Sequence, residues 1–141
     1  MNKAHVLIVE DNEGDVMLTK EGFSKSNIET NVSVAMDGWE ALQFFGKIGT
    51  VMPDLVLLDI NLPKMNGHEV LKAIKTNPVT KHIPTIIFST SSHQKDIEKS
   101  YAGNANCFIT KPFDADEFID AIGSIADFWL GLAKLPARIK N

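Results

Sequence analysis

Leu55-Val56-Leu57-Leu58-Asp59 is the stretch on which the fold turns. Four apolar side chains follow one another without polar alternation, and a carboxylate closes the run. A strand with one face in water alternates polar and apolar residues, whereas a strand covered on both faces does not need to. The same signature stands upstream at Val6-Leu7-Ile8-Val9 and downstream at Thr85-Ile86-Ile87-Phe88. Two further strand-length runs, Val32-Ser33-Val34-Ala35 and Cys107-Phe108-Ile109, complete a set of five. Strands covered on both faces imply a parallel sheet with helices on either side.

The segments between the runs support this. Residues 13–26, 38–47, 66–76, 92–102 and 114–133 have helical character, each ten residues or longer. Asp37 is placed to cap the second, Ser91 with Gln94 to form a capping box on the fourth, and Gly103 to close the fourth in a left-handed cap. Strand and helix therefore alternate five times, the pattern of an α/β fold. Right-handed crossovers with one reversal of chain direction give a doubly wound five-stranded parallel sheet in the flavodoxin-like order 2-1-3-4-5. The last helical segment outruns the sheet, so an extended C-terminal helix is expected.

Composition narrows the function. Of 141 residues, 44% are hydrophobic and 23% charged, enough for a real core without staples. Fourteen Lys and Arg against eighteen Asp and Glu leave a net charge of −4, which argues against nucleic acid as a ligand. The single cysteine, Cys107, excludes an internal disulfide and a multi-cysteine zinc site, and the four histidines lack ligand spacing. No apolar stretch approaches membrane-spanning length, so no membrane partner is expected and a reducing, cytoplasmic setting is.

In a doubly wound sheet the working crevice lies beyond the carboxyl ends of the strands. The residues there are chemically consistent: Glu10-Asp11 after the first run, Asp59 after the third, Ser89-Thr90 after the fourth and Thr110-Lys111-Pro112 after the fifth. Three carboxylates brought together repel unless a cation joins them. All-oxygen ligation without His or Cys suits a hard ion such as Mg²⁺. A lysine point charge and a hydroxyl can hold the oxygens of a transferring phosphoryl group, and Asp59 can be its nucleophile.

Four stretches carry a family resemblance: Ile8-Val9-Glu10-Asp11-Asn12, residues 57–67 from Leu57 to Gly67, Phe88-Ser89-Thr90 and Thr110-Lys111-Pro112-Phe113. Together they resemble the receiver domain of two-component response regulators over residues 3 to about 127. The resemblance implies that Asp59 is the phosphoacceptor, that Glu10, Asp11, Asp59 and the backbone carbonyl of Asn61 hold Mg²⁺, and that Lys111, ahead of a cis Pro112, binds the phosphoryl group. It also implies that Ser89 is the switch hydroxyl and Phe108 the aromatic rotamer switch. Ser stands where the family more often has Thr, and Phe where it more often has Tyr, so the phenolic hydrogen bond is lost. Glu10-Asp11-Asn12-Glu13-Gly14-Asp15, Asn77-Pro78, residues 106–112 and Phe128-Trp129-Leu130 look like the single-domain regulators that work with bacterial phytochromes.

The expectation is therefore one receiver domain over residues 1–141, with 128–141 a C-terminal extension and no output domain. It would accept a phosphoryl group from a sensor histidine kinase, of the bacteriophytochrome type on the narrower likeness, and signal through its surface. It would not be an enzyme beyond that phosphotransfer and its own dephosphorylation. Two alternatives stand beside it. An aspartate-nucleophile phosphohydrolase also joins Asp, Mg²⁺ and Lys on such a sheet, but expects its nucleophile after the first strand and an acid two residues on, where this chain has Asn61. A non-phosphorylatable pseudo-receiver would not need the full set of chemical groups. Phe118, Ile122, Ile125, Trp129 and Leu132 form an apolar stripe at helical spacing, with Phe128, Leu130 and Leu135 outside it. A homodimer through the helix-four, strand-five, helix-five face is expected, anchored by Phe128 and Trp129, with folding back of the extension as the alternative. Cys107 is expected to be inert, and His68 and His93 to face solvent.

Overall fold

The computed structural model describes residues 3–139. Strands β1 (Ala4–Val9), β2 (Thr30–Ala35), β3 (Leu55–Leu58), β4 (Thr85–Ser89) and β5 (Cys107–Thr110) pair in parallel in the order β2-β1-β3-β4-β5. Helices α1 (Glu13–Lys25), α2 (Gly38–Gly46), α3 (Gly67–Thr76), α4 (Gln94–Ala102) and α5 (Ala115–Ala126) make the crossovers and the final turn, and a π-helical segment, Asp127–Leu132, continues α5. No helix among the described residues is long and apolar enough to cross a membrane.

The unbroken apolar runs are explained by two cores. Successive side chains on a strand point to opposite faces. Leu7, Val9, Val56, Leu58 and Ile87 therefore face α2 and α3, meeting Ala41, Phe45, Val70, Leu71 and Ile74. Val6, Ile8, Leu55, Leu57, Ile86 and Phe88 face the other side, meeting Phe23 of α1 and Phe118, Ile122 and Ile125 of α5. Side-chain caps start most of the helices. Asn12, Asp37, Asn66 and Asp114 each accept the backbone N–H three residues on, which satisfies an otherwise unpaired donor.

Several local expectations need correction. At α4 the Ser91–Gln94 box does not form: His93 is the capping position, and Ser91 Oγ instead donates to Asp96 Oδ2 at 2.5 Å. Gly103 closes α4 at φ −81°, and the left-handed position falls to Asn104 at φ 71°, one of the few non-glycine residues that tolerate it. No cis peptide occurs among the described residues, so the Lys111–Pro112 bond is trans, the form X–Pro bonds favour by about 0.5–1 kcal/mol. His68 is half-buried rather than solvent-facing, its Nε2 lying 3.2 Å from Ser100 Oγ of α4.

The C-terminus departs most. Beyond Ala126 the winding widens to bonds five residues apart, as between Ala133 N–H and Phe128 O at 2.8 Å, so the α-helical phase of the stripe is lost. Trp129 still packs on the core, in edge contact with Phe128 at 5.1 Å, but Leu132 is 73% exposed and Phe128 50%. Residues 133–139 fold back on their own domain. Ile139 O accepts from Met52 N–H at 2.9 Å, and Arg138 Nε reaches both oxygens of Asp54 at 3.0 Å.

Candidate functional site

The sheet order reverses between β1 and β3, and the crevice opens at their carboxyl ends. Backbone bonds align those ends. Asp59 N–H donates to Val9 O at 3.0 Å, Glu10 N–H to Ala35 O at 3.0 Å, and Lys111 N–H to Ser89 O at 2.7 Å. Glu10 and Lys111, 101 positions apart, are thereby brought to one patch.

The loop after β3 is held in place by Gly67, which opens α3. Its N–H donates to Ile60 O at 2.9 Å, and a Cβ there would lie 2.3 Å from Asp59 O and 2.4 Å from Ile60 Cα. Only glycine lets the helix start so close to the strand end. Asp59 itself is buried, and its Oδ1 accepts the Asn61 N–H at 3.0 Å.

Lys111 is the hub. Its side chain is 4% exposed, and its ammonium donates to Glu10 Oε1, to Asp15 Oδ2 at 2.8 Å and to Asp59 Oδ2 at 3.0 Å. Burial works against the charged amine, but the hydrogen bonds to Asp15 and Glu10 and the charge of Asp59 outweigh it, so Lys111 stays above its ordinary value. Burial pushes Glu10 up and the Lys111 hydrogen bond pulls it back. The charge of Asp59 then pushes it up again, to about 7. One lysine does not neutralise this many acids. Glu10, Asp11 and Asp59 each offer an oxygen, all within 4.8 Å of one another, which makes them a candidate cage for a divalent cation. Asp11 is the exposed member of the three.

Ser89 is fully buried, and its Oγ accepts from Asn61 Nδ2 at 3.4 Å and from Ser91 N–H at 3.3 Å. Of the three successive hydroxyls it alone is tied to the loop after β3; Thr90 is exposed and Ser91 Oγ is turned to Asp96. Phe108 is partly buried against the α2–α3 core, and its N–H donates to Tyr101 Oη of α4 at 3.0 Å. Cys107 is half-buried, and burial pushes its thiol up. Asp15, the third partner of Lys111, was not among the site residues expected from sequence. In sequence it is an ordinary first-turn acid of α1, its N–H taken by Asn12 Oδ1, and only the folded chain turns its carboxylate to the crevice.

The chain belongs to the response regulator receiver domain family, whose model matches residues 6–123. Response regulator Rcp1 of Synechocystis sp. is 37% identical over 136 residues, covering 94% of this chain and 92% of the relative. The phosphorylated cyanobacterial phytochrome response regulator RcpA superposes with a TM-score of 0.93 at 38% identity, over 96% of this chain and all of that one. The Mn²⁺-bound form of Rcp1 does so with a TM-score of 0.90 at 36% identity, over 95% of this chain and 99% of that one.

Proposed function

We propose that this chain is a phosphorylation-driven switch in a two-component phosphorelay, with Asp59 as the phosphoacceptor. The observation that carries the reading is the convergence of a buried Asp59, the acidic pair Glu10-Asp11 and the Lys111 ammonium at the ends of β1, β3 and β5. An oxygen of Asp59 attacks the phosphorus of a phosphohistidine whose other ring nitrogen carries a proton, the P–N bond breaks, and the ring leaves as neutral imidazole. Water later cleaves the acyl phosphate, releasing inorganic phosphate and restoring the carboxylate. Lys111 holds phosphoryl oxygens, and Ser89 swings from Asn61 to the phosphoryl group while Phe108 repacks beside α4.

An all-oxygen donor set fits Mg²⁺: Glu10, Asp11 and Asp59 would hold it, joined by the Asn61 carbonyl that the family resemblance implies. When bound, the ion offsets the carboxylate charge and polarises the phosphoryl oxygens. The likeness to RcpA, a phytochrome response regulator, supports a sensor histidine kinase of the phytochrome type as the donor. The exposed side chains of Phe128 and Leu132 support self-association through the face made by α4, β5 and α5. We place no enzymatic role on the chain beyond transfer to and loss from Asp59.

Incubation with acetyl phosphate and Mg²⁺, followed by intact mass and phosphate release, separates the readings. Stoichiometric, metal-dependent addition of one phosphoryl group is the expected result. Multiple turnover without a lasting adduct would indicate a phosphohydrolase, and no reaction a pseudo-receiver; either outcome overturns the proposal.

A further inference from the structure

All three N–H donors of Lys111 are engaged, on Glu10, Asp15 and Asp59. Two of these acceptors, Glu10 and Asp59, also belong to the candidate cation cage, whereas Asp15 does not. When Glu10 and Asp59 turn their oxygens to a cation, Lys111 loses its claim on them and faces a like charge in the same crevice. Asp15 is then the one acceptor in the resting set that remains free to hold the ammonium. Its geometry suits that task. The Asp15 N–H donates to Asn12 Oδ1 at 3.0 Å, and its carbonyl accepts from the buried Thr19 Oγ1 at 2.7 Å, so the residue is fixed in the first turn of α1. The carboxylate is 25% exposed against 4% for Lys111, which leaves it at the mouth of the crevice with the ammonium drawn inward. The cap of α1 is Asn12, so this carboxylate is not spent on capping.

We propose that Asp15 is a positioning residue for phosphoryl binding, keeping Lys111 aimed at Asp59 while the acidic pair is engaged with metal. The inference rests on the reading of Asp59 as phosphoacceptor and Lys111 as phosphoryl ligand. With Asp15 in place, one donor of Lys111 is anchored and the others are free to meet phosphoryl oxygens. Without it, the ammonium spends part of its time outside the crevice, and phosphoryl binding weakens by that fraction.

The test is beryllofluoride binding in saturating Mg²⁺ by wild type, Asp15→Asn, Lys111→Ala and the double variant, with Mg²⁺ affinity measured separately by calorimetry. Asp15→Asn keeps shape and an acceptor atom but loses the charge. Beryllofluoride affinity is expected to fall about tenfold in Asp15→Asn with Mg²⁺ affinity unchanged within about twofold, and to fall no further when the change is made on Lys111→Ala, because coupled residues are not additive. Asp15→Glu, which keeps the charge on a longer arm, should stay within about threefold of wild type. Equal affinity in wild type and Asp15→Asn, an equal loss in both backgrounds, an equal loss in Asp15→Glu, or an Asp15→Asn chain without a native thermal transition would each overturn the inference. Failure of wild type itself to bind beryllofluoride would instead overturn the reading of Asp59.

Discussion

The carboxylates of the crevice differ in what surrounds them, and each difference has a measurable consequence. Glu10 is buried against Lys111 while Asp11 is exposed beside it, so a bound cation would take Asp11 with the smaller desolvation cost. Glu10→Gln and Asp11→Asn are both expected to weaken Mg²⁺ binding, by on the order of tenfold for Asp11 and less for Glu10, since each removes one charged ligand. Calorimetric titration checks this, and unchanged affinity in both variants would move the metal away from this patch. Gly67 is as decisive as any charged residue. A Cβ there meets the backbone of Asp59 and Ile60, which cannot yield as a flexible side chain can. Gly67→Ala should cost about 1–3 kcal/mol in denaturant unfolding and displace Asp59 as well. A variant with wild-type stability and wild-type phosphorylation rate would show that the close approach is not needed.

Between elements, α4 is held chiefly by polar contacts; of its residues only Ser100 is buried. His68 of α3 meets Ser100 there, and burial first, then the charge of Lys99, lower the imidazole below its ordinary value, with Asp96 opposing. A folded state that disfavours the charged form contributes stability above the unfolded value of about 6.5 that is lost as pH falls through the lower folded value. Thermal melts should therefore show wild type losing stability on acidification below about pH 6.5 more steeply than His68→Gln, and equal slopes would refute the assignment. The elements also show what sequence could and could not reveal. β1, β3 and β4 were legible because they run apolar on both faces, β2 and β5 as strand-length runs between helical segments, and the crevice because four strand ends carry its chemistry. The trans Pro112 and the positive φ of Asn104 were missed because the resemblance implied a cis bond where X–Pro bonds favour trans, and because Gly103 is the commoner left-handed cap beside Asn104. Asp15 reads as an ordinary first-turn acid until Lys111, 96 positions away, is folded beside it. The π winding after Ala126 was invisible because the apolar stripe is compatible with either winding for its first turns.

At the scale of the molecule, the extension divides into a folded-back tail and an exposed apolar patch. The ion pair of Arg138 with Asp54 lies 84 positions apart in sequence and closes the tail over the amino-terminal end of β3, a long-range contact that no local pattern announces. Phe128 and Leu132 remain uncovered. Wild type is expected to sediment as a dimer in the presence of beryllofluoride and Mg²⁺, and a Phe128→Ala, Trp129→Ala double variant as a monomer. A wild-type monomer with and without beryllofluoride would sink self-association while leaving the switch intact. The central claim is the chemistry at Asp59, and one comparison tests it most directly: intact mass of wild type and Asp59→Asn after acetyl phosphate and Mg²⁺. The amide keeps the side-chain volume but removes the nucleophile. Wild type should gain one phosphoryl group and Asp59→Asn, folded, none; equal labelling of the two, with no other acid modified in the variant alone, would contradict the account.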